Sequence, residues 1–219
     1  MNAPAPSCVE VGVTNERITV FKKFLGSLAL VATLSGTALA QPAPDAFVRQ
    51  ISNDVIAAAK SDQSVQSGDI NRIIGLVDAK VMPNVDFEAM TRSAVGPQWR
   101  TATPEQRSRL QTEFKTLLVR VYAGALTQIK DQTVEVTKTQ PVQGGSQVVV
   151  QSEVRGKGEP VRLDYRLDKV GAGWKIIDVN VGGIWLVTSY RSQFAQELGN
   201  GGVDALITKL AERNKSAGK

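Results

Sequence analysis

The sequence predicts an α+β domain in which a curved four-stranded antiparallel sheet packs against a long helix and flanking helices. Three observations predict it. Apolar residues recur at helical spacing from Asp45 to Ile129, the period switches to two between Thr133 and Val181, and helical spacing returns from Leu186 to Leu210.

The elements follow in order. Asp45 to Lys60 places Phe47, Val48, Ile51, Val55, Ile56 and Ala59 on one helical face, and the polar stretch from Ser61 to Gly68 reads as a turn. A second helix carries Ile70, Ile73, Ile74, Val77 and Val81 and stops at Met82-Pro83, because proline cannot continue a helix. Asp86 is placed to cap a short helix bearing Phe87 and Met90. The clearest signal spans 103–129. Thr103 and Gln106 have capping-box spacing, Pro104 suits the first helical position, and Leu110, Phe114, Leu117, Leu118, Val121, Tyr122, Ala125 and Ile129 form one apolar face.

Four period-two segments come next, around Val134–Val136, Val148–Val154, Val161–Leu167 and Trp174–Val181, linked by the glycine-rich turns Gly144-Gly145-Ser146, Gly156-Lys157-Gly158 and Gly171-Ala172-Gly173. In the last segment Trp174 and Ile176 share one phase, while Ile177, Val179 and Val181 share the other. Either a bulge shifts the register or both faces are covered. Two helices close the chain, the first with Leu186, Val187, Tyr190, Phe194 and Leu198, the second with Val203, Leu206, Ile207 and Leu210.

Composition limits the chemistry. The 219 residues include 26 Lys+Arg, 21 Asp+Glu, one cysteine and no histidine. Histidine-based nucleophilic triads, histidine general bases, histidine-ligated metals, internal disulfides and thiolate zinc sites are therefore excluded. The sequence implies no metal and no cofactor. Basic residues are scattered and aromatics make up 5 % of the chain, which argues against a nucleic-acid surface.

The amino terminus reads as an export signal. Lys22 and Lys23 precede the apolar run Phe24 to Leu34, and small residues lead to an Ala-x-Ala site ending at Ala40. The run is too short to span about 30 Å of hydrocarbon. The stretch before Lys22 is long for such a signal, consistent with translation beginning near Val20. Residues 1–40 are thus expected to be a cleaved signal peptide and 41–219 a single domain. Cleavage removes Arg17, Lys22, Lys23, Glu10 and Cys8, leaving 23 basic and 20 acidic groups and lowering the net charge from +5 to +3. The mature chain then has neither thiol nor imidazole, and the periplasm is its expected location.

Among the remaining polar groups, Asp178 lies inside the last strand and Asp164 flanks Tyr165. A helix-backed curved sheet with an Asp and a Tyr resembles ketosteroid-isomerase-like enzymes, in which an apolar pocket hosts proton transfer. The other reading of Asp178 is structural: it satisfies backbone donors or pairs with Lys175 or a nearby arginine. The apolar faces of the long helix, the sheet and the last two helices fit either a filled core or a cavity.

Several segments, in order, resemble the MlaC family over about 45–215. These are Met82-Pro83-Asn84-Val85-Asp86-Phe87, Gly96 to Gln106, Phe114-Lys115-Thr116-Leu117-Leu118 with Tyr122, Trp174 to Val179, Gly183, and Tyr190-Arg191-Ser192-Gln193-Phe194. The resemblance implies a periplasmic phospholipid-binding protein, a toluene-tolerance auxiliary of an ABC transporter. It would carry lipid between an outer-membrane lipoprotein complex and the lipid-binding subunit of an inner-membrane ABC transporter, maintaining outer-membrane lipid asymmetry. It also implies a monomer with no catalytic residue and an apolar pocket between sheet and helices. Matching positions make Phe114, Leu118, Tyr122, Tyr165, Val181, Ile184, Val187 and Tyr190 the lining candidates. One departure stands out: Trp185 replaces the small polar residue usual in the family, close to the expected pocket mouth, where it would narrow the mouth, cap the tails or rest on the surface. Amino-terminal sequencing of the exported protein is expected to begin at Gln41; a sequence retaining Lys22 and Lys23 would contradict cleavage.

Overall fold

A computed structural model describes residues 42–216; the expected signal segment lies outside them. The helices before the sheet are α1 (Pro44–Ser61), α2 (Gln63–Gln66), α3 (Ile70–Lys80), α4 (Phe87–Val95) and α5 (Pro104–Thr127), with 3-10 turns at Met82–Asn84 and Gly96–Arg100. The strands are β1 (Thr133–Pro141), β2 (Gln147–Arg155), β3 (Val161–Val170), β4 (Gly173–Val181) and β5 (Ile184–Trp185), and α6 (Leu186–Ser216) ends the described chain.

Local chemistry sets the helix starts. Asp62, Asp69 and Asp86 cap α2, α3 and α4, the last accepting the Ala89 amide at 2.9 Å. At α5 the capping box is complete: the Thr103 amide donates to Gln106 Oε1 at 3.0 Å and the Gln106 amide to Thr103 Oγ1 at 3.2 Å.

The sheet is an antiparallel meander in the order β1-β2-β3-β4-β5, five strands rather than the four expected. The fifth is two residues long. Gly182 and Gly183, with φ of 59° and 96°, turn the chain tightly enough to pair Ile184 with Val181 and Trp185 with Asn180. A two-residue strand has no periodicity to read. The irregularity in β4 is a bulge: Arg166 faces Asp178 and Leu167 faces Ile176, so Ile177 is the extra residue. Ile176, Val179 and Val181 thereby share one face with Leu163, Tyr165 and Leu167, and Asp178 and Asn180 share the other with Asp164 and Arg166.

The long helix makes most of its close backbone contacts with other helices and meets β4 through side chains of one shared cluster. Its close neighbours are α6, α3, α4, α2 and α1 rather than the strands. The apolar sheet face is approached by α1 over β1 and β2, and by α4 and α6 over β4, while Leu167 and Tyr165 of β3 pack against α1. Three apolar clusters result. One surrounds Phe114, Phe194 and Leu110 among α4, α5 and α6; one joins Val48 and Ile51 of α1 to Val150, Leu167 and Ile176; one packs α1, α2, α3 and α5 around Val65 and Ile73.

Helix α6 is broken as the sequence suggests. Gly201 and Gly202 leave helical geometry, and Gly202 has φ 71° and ψ −158°, a region essentially reserved for glycine. The second half runs beside α5, where Asp204 accepts from Gln106 at 2.9 Å and Asn214 donates to the Glu113 carbonyl at 2.9 Å. Gly202→Ala is expected to cost about 1–3 kcal/mol. Gly199→Ala, at an open helical position with ordinary φ, is expected to stabilise by about 0.4–1 kcal/mol. Denaturant unfolding of the two variants should show these opposite signs.

Candidate functional site

Six of the eight sequence candidates, Phe114, Leu118, Tyr122, Val181, Val187 and Tyr190, belong to or border the cluster of α4, α5 and α6, and Tyr165 borders the α1 cluster. From α5, Leu118 and Tyr122 are half-buried beside the aromatic core. From the sheet, Val181 and Tyr165 are half-buried on the inward face, and Val187 adds a half-buried side chain from the first turn of α6. Half-burial distinguishes these five from true core residues. Phe114 is 0 % exposed, with ring centres 5.0 Å from Tyr190, 5.1 Å from Phe194 and 5.6 Å from Phe87. Phe114 and Tyr190 therefore sit in the aromatic packing behind the others. Ile184, opposite Val181, is 59 % exposed.

The three tyrosines all have phenols raised above their ordinary range, chiefly by burial. They stay neutral at physiological pH, as an apolar lining requires. Tyr165 reaches toward α1, its hydroxyl 3.5 Å from Ser52 Oγ. For Tyr190, the neighbouring Tyr122 adds to the effect and Arg213 opposes it.

Sequence reasoning missed three contributors. Val179, on the phase of Val181 after the bulge, touches both the α5–α6 cluster and the α1 cluster. Val85 pairs with Ile176 across an isolated bridge, and Ser52 meets Tyr165 over a separation of 113 residues. The alternation along β4 carried a signal for Val179. For Val85 and Ser52 the contacts are long-range and left no local pattern.

Asp178 has a structural task. Its Oδ1 accepts the Val179 amide at 2.9 Å and the Val187 amide at 3.0 Å, so a strand residue caps the amino end of α6. Burial pushes this carboxyl up, while the two amides and Arg166 pull it down. It stands on the sheet phase opposite Tyr165. An Asp–Tyr pair within the apolar space, which an isomerase-like reaction needs, is thus not formed. Trp185 shares the phase of Asp178, across from Asn180, and the Arg166 guanidinium lies 4.8 Å from its ring centre. Pairing with Asn180 sets Trp185, half-buried, on the sheet phase of the buried Asp164, Asp178 and Asn180 and not on that of Val181 and Tyr165.

The fold and site together define a class: an α+β protein whose antiparallel sheet faces a long helix across an interlayer of half-buried apolar side chains. The MlaC family model, described as "MlaC protein", matches residues 49–212, and the chain belongs to this family. The toluene tolerance protein ttg2D of Pseudomonas putida is 26 % identical over 180 residues, covering 82 % of this chain and 84 % of that protein. The intermembrane phospholipid transport system binding protein MlaC of Haemophilus influenzae is 23 % identical over 198 residues, covering 87 % and 92 %. A solved phospholipid-binding protein from Ralstonia solanacearum, in complex with a phospholipid, is 41 % identical with a TM-score of 0.76, covering 80 % of this chain and 98 % of that one.

The Asp178 geometry makes a pH prediction. Because its folded carboxyl is raised, the native state holds this proton more tightly than the unfolded chain. Its contribution is full below the ordinary value of 3.8 and falls as pH rises through the raised folded value. Asp178→Asn keeps the acceptor oxygen and removes the titration, so its stability relative to the parent is expected to improve as pH climbs through that window. Asp178→Ala, which strands the Val187 amide, is expected to lose about 1–3 kcal/mol. Urea unfolding from about pH 3 to about pH 7 reads both.

Proposed function

We propose that this protein is a phospholipid carrier, holding acyl chains in the interlayer between α5 and the sheet. The observation that carries this reading is the set of half-buried apolar residues Leu118, Tyr122, Val179, Val181 and Val187, contributed by the long helix, the sheet and α6 at the margin of one core cluster. The lipid-bound relative at 41 % identity supports it. Ile184 and Val121, 59 % and 54 % exposed, fit residues at the rim of such a site.

The mechanism is thermodynamic and needs no reactive side chain. Each CH₂ moved from water to an apolar environment gains about 0.8 kcal/mol, so a chain of about sixteen carbons costs on the order of 12 kcal/mol in water. A protein interlayer that replaces the bilayer offsets most of that cost, making transfer between membranes nearly neutral. The direction of transfer is then set by the partners, for example by ATP hydrolysis in a transporter. The carrier is a monomer that works in the periplasm after removal of residues 1–40, between an outer-membrane lipoprotein complex and an inner-membrane ABC transporter. None of the helices among the described residues is long and apolar enough to cross a membrane, in keeping with this role.

Native mass spectrometry of the mature chain is expected to show bound phospholipid, and a fully lipid-free protein would refute the carrier reading. Val181→Glu introduces an unpaired charge among apolar groups and is expected to reduce lipid occupancy or folding. A stable Val181→Glu protein with normal lipid loading would refute the placement of the site.

A further inference from the structure

A second concavity lies away from the apolar interlayer and has the opposite chemistry. It is about 400 Å³ in volume and is lined by Arg92, Ser93, Gly96, Pro97, Trp99, Arg100 and Arg191. Three exposed arginines line it from three separate elements: the last turn of α4, the following 3-10 turn, and α6. No carboxylate is among its lining residues. The nearest acid in sequence, Glu88, stands 3.9 Å from Arg92 in an exposed pair of little strength. Among the described residues, the side chains of Arg100 and Arg191 have neither an ion-pair nor a hydrogen-bond partner, and the Ser93 hydroxyl has none.

Arg92 has an ordinary explanation, since a cation in the last turn complements the helix dipole. Arg100 and Arg191 are both solvent-exposed. Arg191 passes over Gly96 in van der Waals contact, its Nε and Nη2 lying 3.7 Å from where a Cβ on that residue would stand, and Gly96, at φ 75°, is held in a glycine conformation. Trp99, 4 % exposed, gives the concavity a rigid wall. Three guanidinium groups around one concavity, two of them without a carboxylate partner, match the oxygens of a tetrahedral oxyanion, which can accept two bonds from one planar fork.

We infer that the Arg92–Arg100–Arg191 concavity is a binding site for a phosphate-type oxyanion, either free phosphate or the phosphodiester of a lipid headgroup. It shares no lining residue with the apolar interlayer, so it stands or falls independently of the carrier reading.

The test is a titration of the mature protein followed by NMR at the Trp99 indole N–H, assigned through Trp99→Phe. Inorganic phosphate and glycerophosphoglycerol are the two probes, with sodium chloride at matched ionic strength as the control. A saturable shift with either probe, absent with chloride, is the expected result. Each of Arg100→Gln and Arg191→Gln is expected to weaken it about tenfold, as loss of a charge-assisted bond implies. Arg155→Gln, outside the site, is expected to leave it unchanged. Tighter binding of phosphate assigns the site to the free ion, and tighter binding of glycerophosphoglycerol assigns it to a headgroup. No saturable shift with either probe, or equal affinity in parent and variants, overturns the inference. Should Arg191→Gln fail to fold because its packing over Gly96 is lost, the exposed Arg100 carries the test alone.

Discussion

The carboxylate of Asp178 joins the two layers of this protein. It sits in β4, yet its oxygen accepts the amide of Val187 and so anchors the start of α6 to the sheet. The bulge at Ile177 makes this geometry available. Without the extra residue, Val179 and Val181 would lie on the opposite face from Ile176, and the apolar surface of β4 would be split between the two sides of the sheet. With it, every apolar residue from Ile176 to Val181 other than the bulged one turns inward while Asp178 turns toward the helix. The isolated bridge between Val85 and Ile176 and the Asp86 amide bond to the Ile176 carbonyl then tie the start of α4 to the same strand.

Those anchors lie along the margins of the sheet. Helix α1 covers the β1–β2 side, α4 and α6 hold the β4 side, and α5 crosses behind them on its own aromatic core. Phe114 shows what close packing looks like here, surrounded by Phe87, Tyr190 and Phe194 at 5.0–5.6 Å. One turn further along α5, Leu118 and then Tyr122 meet only partial cover. On the proposed carrier reading, this partly covered stretch of α5 is where a flexible apolar guest is held. Protein interiors are otherwise filled to crystal-like density.

Much of the framework was legible locally. The Thr103–Gln106 capping box, the Asp86 cap, the break before Val203 and the strand alternation are patterns in which neighbouring residues specify backbone geometry, and each formed where its chemistry required. The fifth strand escaped because it exists only through the turn at Gly182–Gly183. The two readings of β4 could not be separated beforehand, since a bulge is defined by its partner strand. The family resemblance pairs Tyr165 and Val181 as candidates; their shared face is fixed by the β3–β4 register, and the contact of Tyr165 with Ser52 needed α1 folded back across the sheet.

Sequence by itself determined that this chain is an α+β protein without the histidine or thiol chemistry of many enzymes, and its ordered segments pointed to the MlaC family. These follow from residue identity, periodicity and short-range hydrogen bonding, all of which are encoded along the chain. Tertiary structure decided that Asp178 is a helix anchor, that Trp185 lies on the sheet phase opposite Val181, and that Tyr165 meets Ser52 of α1. It also brought Arg92, Arg100 and Arg191 together around one concavity. Each of these depends on which elements become neighbours, and the distances that matter are set by packing between residues far apart in sequence.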